Sequence, residues 1–436
     1  MSAPPLNKYS ERLAQIDPLP VIGRVVRTVG LLVESIGPPA RVGDICELRR
    51  KRNEPPLILE VVGFRDGHLL TIPLGTTARI QAGDSLVTRS AFSTAPVGQE
   101  LLGRVIDGLG RPLDGRGALG VTHSYSLHPP PINPLSRDPI VAPLGTGVRA
   151  IDALLTAGRG QRLGVFGGSG VGKSTLLGMM ARGTAADVAV VGLIGERGRE
   201  VRSFIEHDLG QEGLARSVVI ASTSDSPPLV RLRAAFLATA IAEYFRDQGQ
   251  NVLLMMDSVT RFAMAQREVG LAAGEPPTTK GYPPSVFALL PNLLERAGNV
   301  RGRGSITGLY TVLVEGDDTN EPIADSVRAI LDGHIVLSRD LAARDHYPAI
   351  DILQSVSRTM PDVTTVNHRL RAGQVRQWLA TLRESEDLVS VGAYVKGSSA
   401  KIDSALEHRD AVDRFLIQSL EATTGFDESI SSFMAL

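Results

Sequence analysis

The chain has 436 residues, more than one average domain needs, so roughly two or three domains are expected. Its 46 basic and 47 acidic side chains leave a formal charge of −1, which excludes a global electrostatic pull towards nucleic acid or an anionic membrane surface. One cysteine excludes an internal disulfide, and no signal peptide or long apolar run stands out, so a cytoplasmic protein is expected.

Residues 1–20 come first as a separate piece. Leu6, Tyr9, Leu13 and Ile16 recur at spacings of three and four, which predicts a short helix with one apolar stripe. Pro18 and Pro20 end it. Such a stripe either packs on its own domain or docks on a partner, and a docking helix is the expectation. From Val21 the pattern shifts to short β-like runs, Gly23–Val29, Ile58–Val62 and His68–Ile72, parted by turns such as Gly37-Pro38-Pro39, Asp66-Gly67 and Gly83-Asp84. Strands of this length and spacing predict a small β-barrel over residues 21–90. Phe64 is the one aromatic in the span. That is a poor platform for stacking bases, so contact between subunits is the expected role. Cys46, within Ile45-Cys46-Glu47-Leu48, reads as a small buried hydrophobe rather than a reactive thiol.

A loop-rich bridge (Leu102–Gly115) and a proline stretch (Pro129–Pro134) lead into alternating strand-like and helix-like segments. Strands are expected at Leu163–Phe166, Val188–Ile194, Ser217–Ala221 and Val252–Asp257, with a long helix from about Leu229 to Arg246. The alternation predicts an α/β domain over residues 91–360 with a mostly parallel sheet. Beyond Thr359 the chain turns amphipathic (Gln374–Glu384, Ala400–Glu421), which predicts a C-terminal helical domain over residues 361–436.

The chemistry gathers at Gly167-Gly168-Ser169-Gly170-Val171-Gly172-Lys173-Ser174, followed by Thr175. It is the full phosphate-loop pattern, set between a strand and a helix as that pattern requires. Glycines let successive N–H groups face one phosphate, and the helix N-terminus adds partial positive charge. Lys173 reaches the β- and γ-phosphates and the Ser174 hydroxyl suits Mg²⁺, so ATP with Mg²⁺ is the expected ligand. Asp257, closing a buried strand, is expected to hold the metal through a water. Hydrolysis also needs a group that polarises the attacking water. Glu196, in Gly195-Glu196-Arg197-Gly198-Arg199-Glu200, is the candidate, because it ends the strand expected to neighbour the phosphate-loop strand. Glu200 is the second candidate, or a helper on the metal's water shell.

These segments, with Met255-Met256-Asp257-Ser258, resemble the catalytic subunits of the rotary ATPase superfamily. Lys280–Pro291, Leu294–Gly298, Gly316-Asp317-Asp318, Pro322–Ser326 and Ile330–Arg339 are similar to the ATPases of type III protein export, and Phe262–Glu268 to their flagellar branch. The resemblance implies Glu196 as the catalytic carboxylate, Asp257 beside Mg²⁺, Arg197 near the phosphates and Glu200 near the metal's waters. It also implies that Tyr347, in His346-Tyr347-Pro348, stacks on adenine, and that Arg358, in Ser355-Val356-Ser357-Arg358, is an arginine finger for the neighbouring subunit. The implied assembly is a homohexamer at the cytoplasmic side of the inner membrane. Its implied partners are a stator-like or regulatory protein at the N-terminus, a stalk-like protein, the export gate, chaperones and export substrates. Two other readings are a hexameric RNA translocase, disfavoured by the near-neutral, aromatic-poor barrel, and a non-catalytic rotary ATPase subunit, disfavoured by Glu196.

Overall fold

The computed structural model describes residues 21–49, 55–75, 80–89, 94–314 and 321–436. The stripe expected over residues 1–20 and the Gly316-Asp317-Asp318 motif lie outside the described residues.

Strands β1 (Gly23–Val29), β2 (Leu32–Ile36), β3 (Ile45–Arg49), β4 (Leu57–Arg65), β5 (His68–Pro73) and β6 (Ser85–Arg89) close into a barrel in the order β1-β2-β5-β4-β3-β6. Closure comes from antiparallel pairing of β1 with β6 through Gly23↔Leu86, and it leaves no strand edge open to a stray partner. The period of two decides what goes inside. Leu57, Leu59 and Val61 of β4 are buried together with Val25, Val33, Leu48, Leu69 and Leu86. Cys46 belongs to the same core, and burial pushes its thiol up to about 11, so it is an inert hydrophobe as expected.

A second compact unit holds residues 94–270 and 276–436. Its strands are β7 (Thr94–Val97), β8 (Val105–Asp107), β9 (His123–Ser126), β10 (Arg162–Gly167), β11 (Val188–Glu196), β12 (Ser217–Thr223), β13 (Asn251–Asp257), β14 (Gly298–Asn299), β15 (Ser305–Leu313), β16 (Gly333–Leu337) and β17 (Ile350–Ser357). The large sheet runs β17-β16-β10-β15-β13-β11-β12-β8, with β14 beside β15. Every pair from β16 to β8 is parallel, while β17 and β14 run antiparallel to their neighbours. Strands such as β11, buried along nearly their whole length, are near-continuous apolar runs because helices cover the sheet. The helix Pro228–Asp247 packs over β11, β12 and β13.

This order corrects one expectation. β11 does not neighbour the phosphate-loop strand; β15 and β13 intervene between β10 and β11. Short apolar runs reveal that strands exist but not which ones pair, since parallel strands are linked through crossovers of any sheet position.

Three C-terminal helices, Val366–Ser390, Ala400–Leu416 and Phe426–Met434, share a core with the helix Arg149–Leu154 through Val375, Trp378, Phe415 and Phe433. The middle helix stops at Leu416 although the amphipathic pattern runs on to Glu421. Gln418 explains the break. Its N–H donates to the Tyr347 carbonyl at 2.9 Å, and its buried amide nitrogen donates to the carbonyls of Gly147 and Ala422, both at 2.8 Å. Tertiary bonds to the sheet unit replace the helical ones.

Candidate active site

β10 ends at Gly167, where a Cβ would stand 2.9 Å from Val171 and 3.1 Å from Leu337; the turn out of the strand leaves no room for a side chain. Gly170 and Gly172 have φ of 80° and 93°, the left-handed region that other residues resist. Gly172 caps the helix Lys173–Gly183 without a side-chain hydrogen bond. The first N–H groups of that helix are therefore free of a side-chain cap, as an anion site requires. Lys173 is buried and its ammonium donates to the carbonyls of Gly167, at 3.0 Å, and Gly168. Ser174 is exposed in the first turn of the same helix.

Asp257 closes β13 and is 5% exposed. The Thr311 hydroxyl donates to its Oδ1 at 2.6 Å. Burial raises its carboxyl, while Thr311, the Lys173 charge and the Ser174 hydroxyl oppose that rise. Glu196 closes β11, whose Leu193 pairs with Asp257. Glu196 thus reaches Asp257 from the adjacent strand rather than from beside the loop. Burial, then the Asp257 charge, then a hydrogen bond with Glu200 push its carboxyl up to about 8, and Arg261 pulls it down. The carboxyls of Glu196, Asp257 and Glu200 act on one another and the Lys173 charge acts on Asp257, so the cluster favours added positive charge. Among the described residues no three His, Cys, Asp or Glu side chains close into a metal cage. Ser174 and Asp257, within hydrogen-bond reach of each other, could supply the one or two protein oxygens that Mg²⁺ takes.

Arg197 and Glu200 lie exposed on the turn after β11, their charged groups 3.7 Å apart. Tyr347 comes to the loop from the far side of β16: a Cβ on Gly172 would stand 3.6 Å from its ring. Arg358 is not brought to this site. Ser357 pairs with Gly333, and the Arg358 N–H donates to the Asp332 carbonyl at 3.0 Å, level with Arg162 at the start of β10. The phosphate loop leaves the other end of β10, about 16 Å away along the strand.

Sequence reasoning missed two side chains here. Thr311, on β15, orients Asp257. Arg261 lies against Gly195, where a Cβ would be 2.9 Å from its own Cβ, and its charge acts on Glu196. Only the closeness of Arg261 to Asp257 in sequence hinted at it; Thr311 carried no signal.

Residues 147–357 match the family described as ATP synthase alpha/beta family, nucleotide-binding domain, and residues 364–435 match the T3SS EscN ATPase C-terminal domain. The chain is 53% identical to the flagellum-specific ATP synthase of Bacillus subtilis, over 95% of this chain and 94% of that one. It is 49% identical to the type 3 secretion system ATPase of Sinorhizobium fredii, over 98% and 94%. Its fold matches the assembled ATPase EscN of the enteropathogenic E. coli type III secretion system at 45% identity with a TM-score of 0.90, covering 95% of this chain and 99% of that one. EscN in complex with its central stalk EscO matches at 0.87. A parallel sheet bearing a phosphate loop, with two carboxylates delivered beside it, is thus found where sequence and fold agree over nearly the full length, and the chain belongs to the family of flagellum-specific and type III secretion ATPases.

Proposed function

We propose that the protein is a Mg²⁺-dependent ATPase that hydrolyses ATP to ADP and phosphate to energise protein export, working as a homohexamer at a flagellar or related type III secretion apparatus. The observation that carries the reading is the meeting of Glu196 and Asp257 beside Lys173. A phosphate loop alone binds nucleotide; a loop with a buried carboxylate poised beside the metal carboxylate can also direct water.

In this mechanism the N–H groups of Gly168 to Thr175 and the Lys173 ammonium hold the β- and γ-phosphates. Ser174 and Asp257 are the residues that fit Mg²⁺, with Glu200 near its waters; the ion would neutralise charge on the phosphate oxygens. Glu196 accepts a hydrogen bond from the attacking water in line with the γ-phosphorus. Positive charge held beside Asp257 would lower the raised proton affinity of Glu196 and favour its carboxylate form. Arg197 steadies the phosphates from the exposed turn after β11, Tyr347 stacks on adenine, and Arg358 serves the next subunit. We assign residues 1–20 to partner docking, 21–90 to the barrel, 91–360 to hydrolysis and 361–436 to helices that meet export partners. A stalk protein, as in the EscN–EscO assembly, a stator-like protein at the N-terminus, an export gate, chaperones and substrates are the proposed partners. The likeness to flagellar and type III secretion ATPases supports a cytoplasmic place, with membrane association through the apparatus; among the described residues no helix is long and apolar enough to cross a membrane.

Two variants test the assignment. Lys173→Ala should weaken nucleotide binding and abolish turnover. Glu196→Gln should bind ATP within a few-fold of the parent yet lose at least about a hundredfold in turnover, the usual scale for a positioned acid–base group. Binding by fluorescent nucleotide titration and turnover by phosphate release decide it. Near-normal turnover in Glu196→Gln would transfer the role to Glu200.

A further inference from the structure

We propose that Gln161 is a positioning residue for Arg358: its buried carboxamide fixes the backbone from which Arg358 is presented to a neighbouring subunit. The proposal rests on the reading that Arg358 completes a neighbour's site.

Gln161 stands immediately before β10 and is fully buried. Its Oε1 accepts the Gly158 N–H at 2.9 Å, and its Nε2 donates to the Asp332 carbonyl and to the Ser357 hydroxyl oxygen, both at 3.1 Å. The Asp332 carbonyl that receives Gln161 also receives the Arg358 N–H, at 3.0 Å. One oxygen therefore joins the carboxamide to the backbone of the finger. Ser357, the residue before Arg358, passes its own proton on to the Thr156 carbonyl at 2.9 Å. Asp332 is held in turn: its carboxylate takes the Arg162 N–H, Nε and Nη2, each at 3.0 Å.

Two features make this a device for aiming and not only for packing. The Arg358 side chain is exposed and makes no hydrogen bond within the described residues, so the point from which it reaches a neighbour is set by its backbone. The backbone has little freedom of its own, because a Cβ on Gly333 would stand 2.5 Å from the Val356 carbonyl oxygen; β16 and β17 touch main chain to main chain there. Small misplacements of a charge-stabilising group are costly in turnover. An amide suits the slot, since a carboxylate has no proton for Asp332 or Ser357 and a thioether has no donor and only a weak acceptor.

The test uses the assembled full chain carrying Gln161→Met, which keeps length and apolar volume. Turnover at saturating ATP should fall tenfold or more, while KM and fluorescent-nucleotide affinity change less than twofold, because the subunit's own phosphate loop is untouched. Co-assembled with Lys173→Ala subunits, Gln161→Met should regain activity above the sum of the two alone, because Lys173→Ala supplies a correctly held Arg358. Ser357→Ala should show the same pattern with a smaller loss, and it decides the matter if Gln161→Met does not assemble. Unchanged turnover, or loss of nucleotide affinity without rescue, overturns the proposal and makes Gln161 a support for its own loop. The pair Arg358→Ala with Lys173→Ala separates the causes. If that pair complements and the Gln161→Met pair does not, positioning by Gln161 fails alone. If neither complements, the shared-site reading falls and this proposal with it.

Discussion

Asp152 shows how a single buried acid shapes the stability of the unit that carries the site. It lies within the helix Arg149–Leu154 with no exposed surface, accepts the Thr146 N–H and hydroxyl at 2.8 and 2.7 Å on Oδ1, and its Oδ2 has no partner among the described residues. Burial lifts its carboxyl from 3.8 to about 6 despite those bonds. Between the two values the folded state keeps a proton that the unfolded state has lost, so stability falls as pH rises through this window. The contribution is fully present below 3.8 and gone above about 6, a difference of about 3 kcal/mol for that interval. Asp152→Asn keeps the acceptor for Thr146 without the charge. It should therefore raise stability above pH 6 by roughly 1–3 kcal/mol and leave it nearly unchanged at pH 4. Urea melts at both pH values check this, and equal effects at the two would refute the burial argument. At this scale the sequence is legible only where function demands a contiguous motif. Lys173, Ser174, Glu196 and Asp257 announce themselves by position at the ends of strands or the start of a helix. Gln161 acts on Ser357 across 196 positions and Gln418 on Arg149 across 269, and nothing local distinguishes either from a surface glutamine.

Elements are tied by a few buried polar bonds whose loss should be felt well beyond the pair. Arg296 follows the helix Pro284–Leu294, and its Nε and Nη2 donate to Glu243 of the helix Pro228–Asp247 at 3.0 and 2.5 Å. Its Nη1 donates to the Leu127 carbonyl at 2.7 Å, so one guanidinium joins two helices and the bridge before the sheet. Both side chains are nearly buried. Arg296→Ala strands an unpaired carboxylate and should cost about 3–5 kcal/mol. The double change to Arg296→Ala with Glu243→Ala should cost less than Arg296→Ala alone, because no charge is then left behind. Chemical denaturation of the three variants measures it; a double variant no better than Arg296→Ala would mean that lost packing, not stranded charge, sets the cost. The elements themselves were largely readable. β1 spans the expected Gly23–Val29, the expected Val252–Asp257 is Asn251–Asp257, and the expected Leu229–Arg246 helix is Pro228–Asp247. Periodicity reports which face is buried, and that is a local property. Adjacency in the sheet is not local, which is why β11 was expected beside β10 and lies beyond β15 and β13 instead.

At the scale of the whole molecule, the proposed reading makes one chain carry two halves of different sites. The phosphate loop leaves the C-terminal end of β10, while Arg358 is anchored near its start through Asp332, too far for a side chain to return to its own loop. On that reading a subunit presents Arg358 to another copy, and a head-to-tail contact whose rotation closes gives a ring. Specific activity should then rise with protein concentration as rings form. Mixing supplies the sharper test. Let Arg358→Ala subunits, with intact loops, make up a fraction p of randomly assembled rings, and Lys173→Ala subunits, with intact arginines, the remainder. A boundary works only when the first kind provides the loop and the second the arginine, so activity should follow p(1 − p). It should vanish at either end and peak in an equal mixture at about one quarter of the parent rate, if boundaries act independently. Turnover that depends on neighbours firing in sequence would lower the peak but keep the arch. An arginine acting within its own chain gives no arch at all, because neither subunit then owns a complete site. Phosphate release across a series of mixtures, with co-assembly shown by size-exclusion chromatography of differently tagged subunits, separates the arch from a straight line between the two inactive parents.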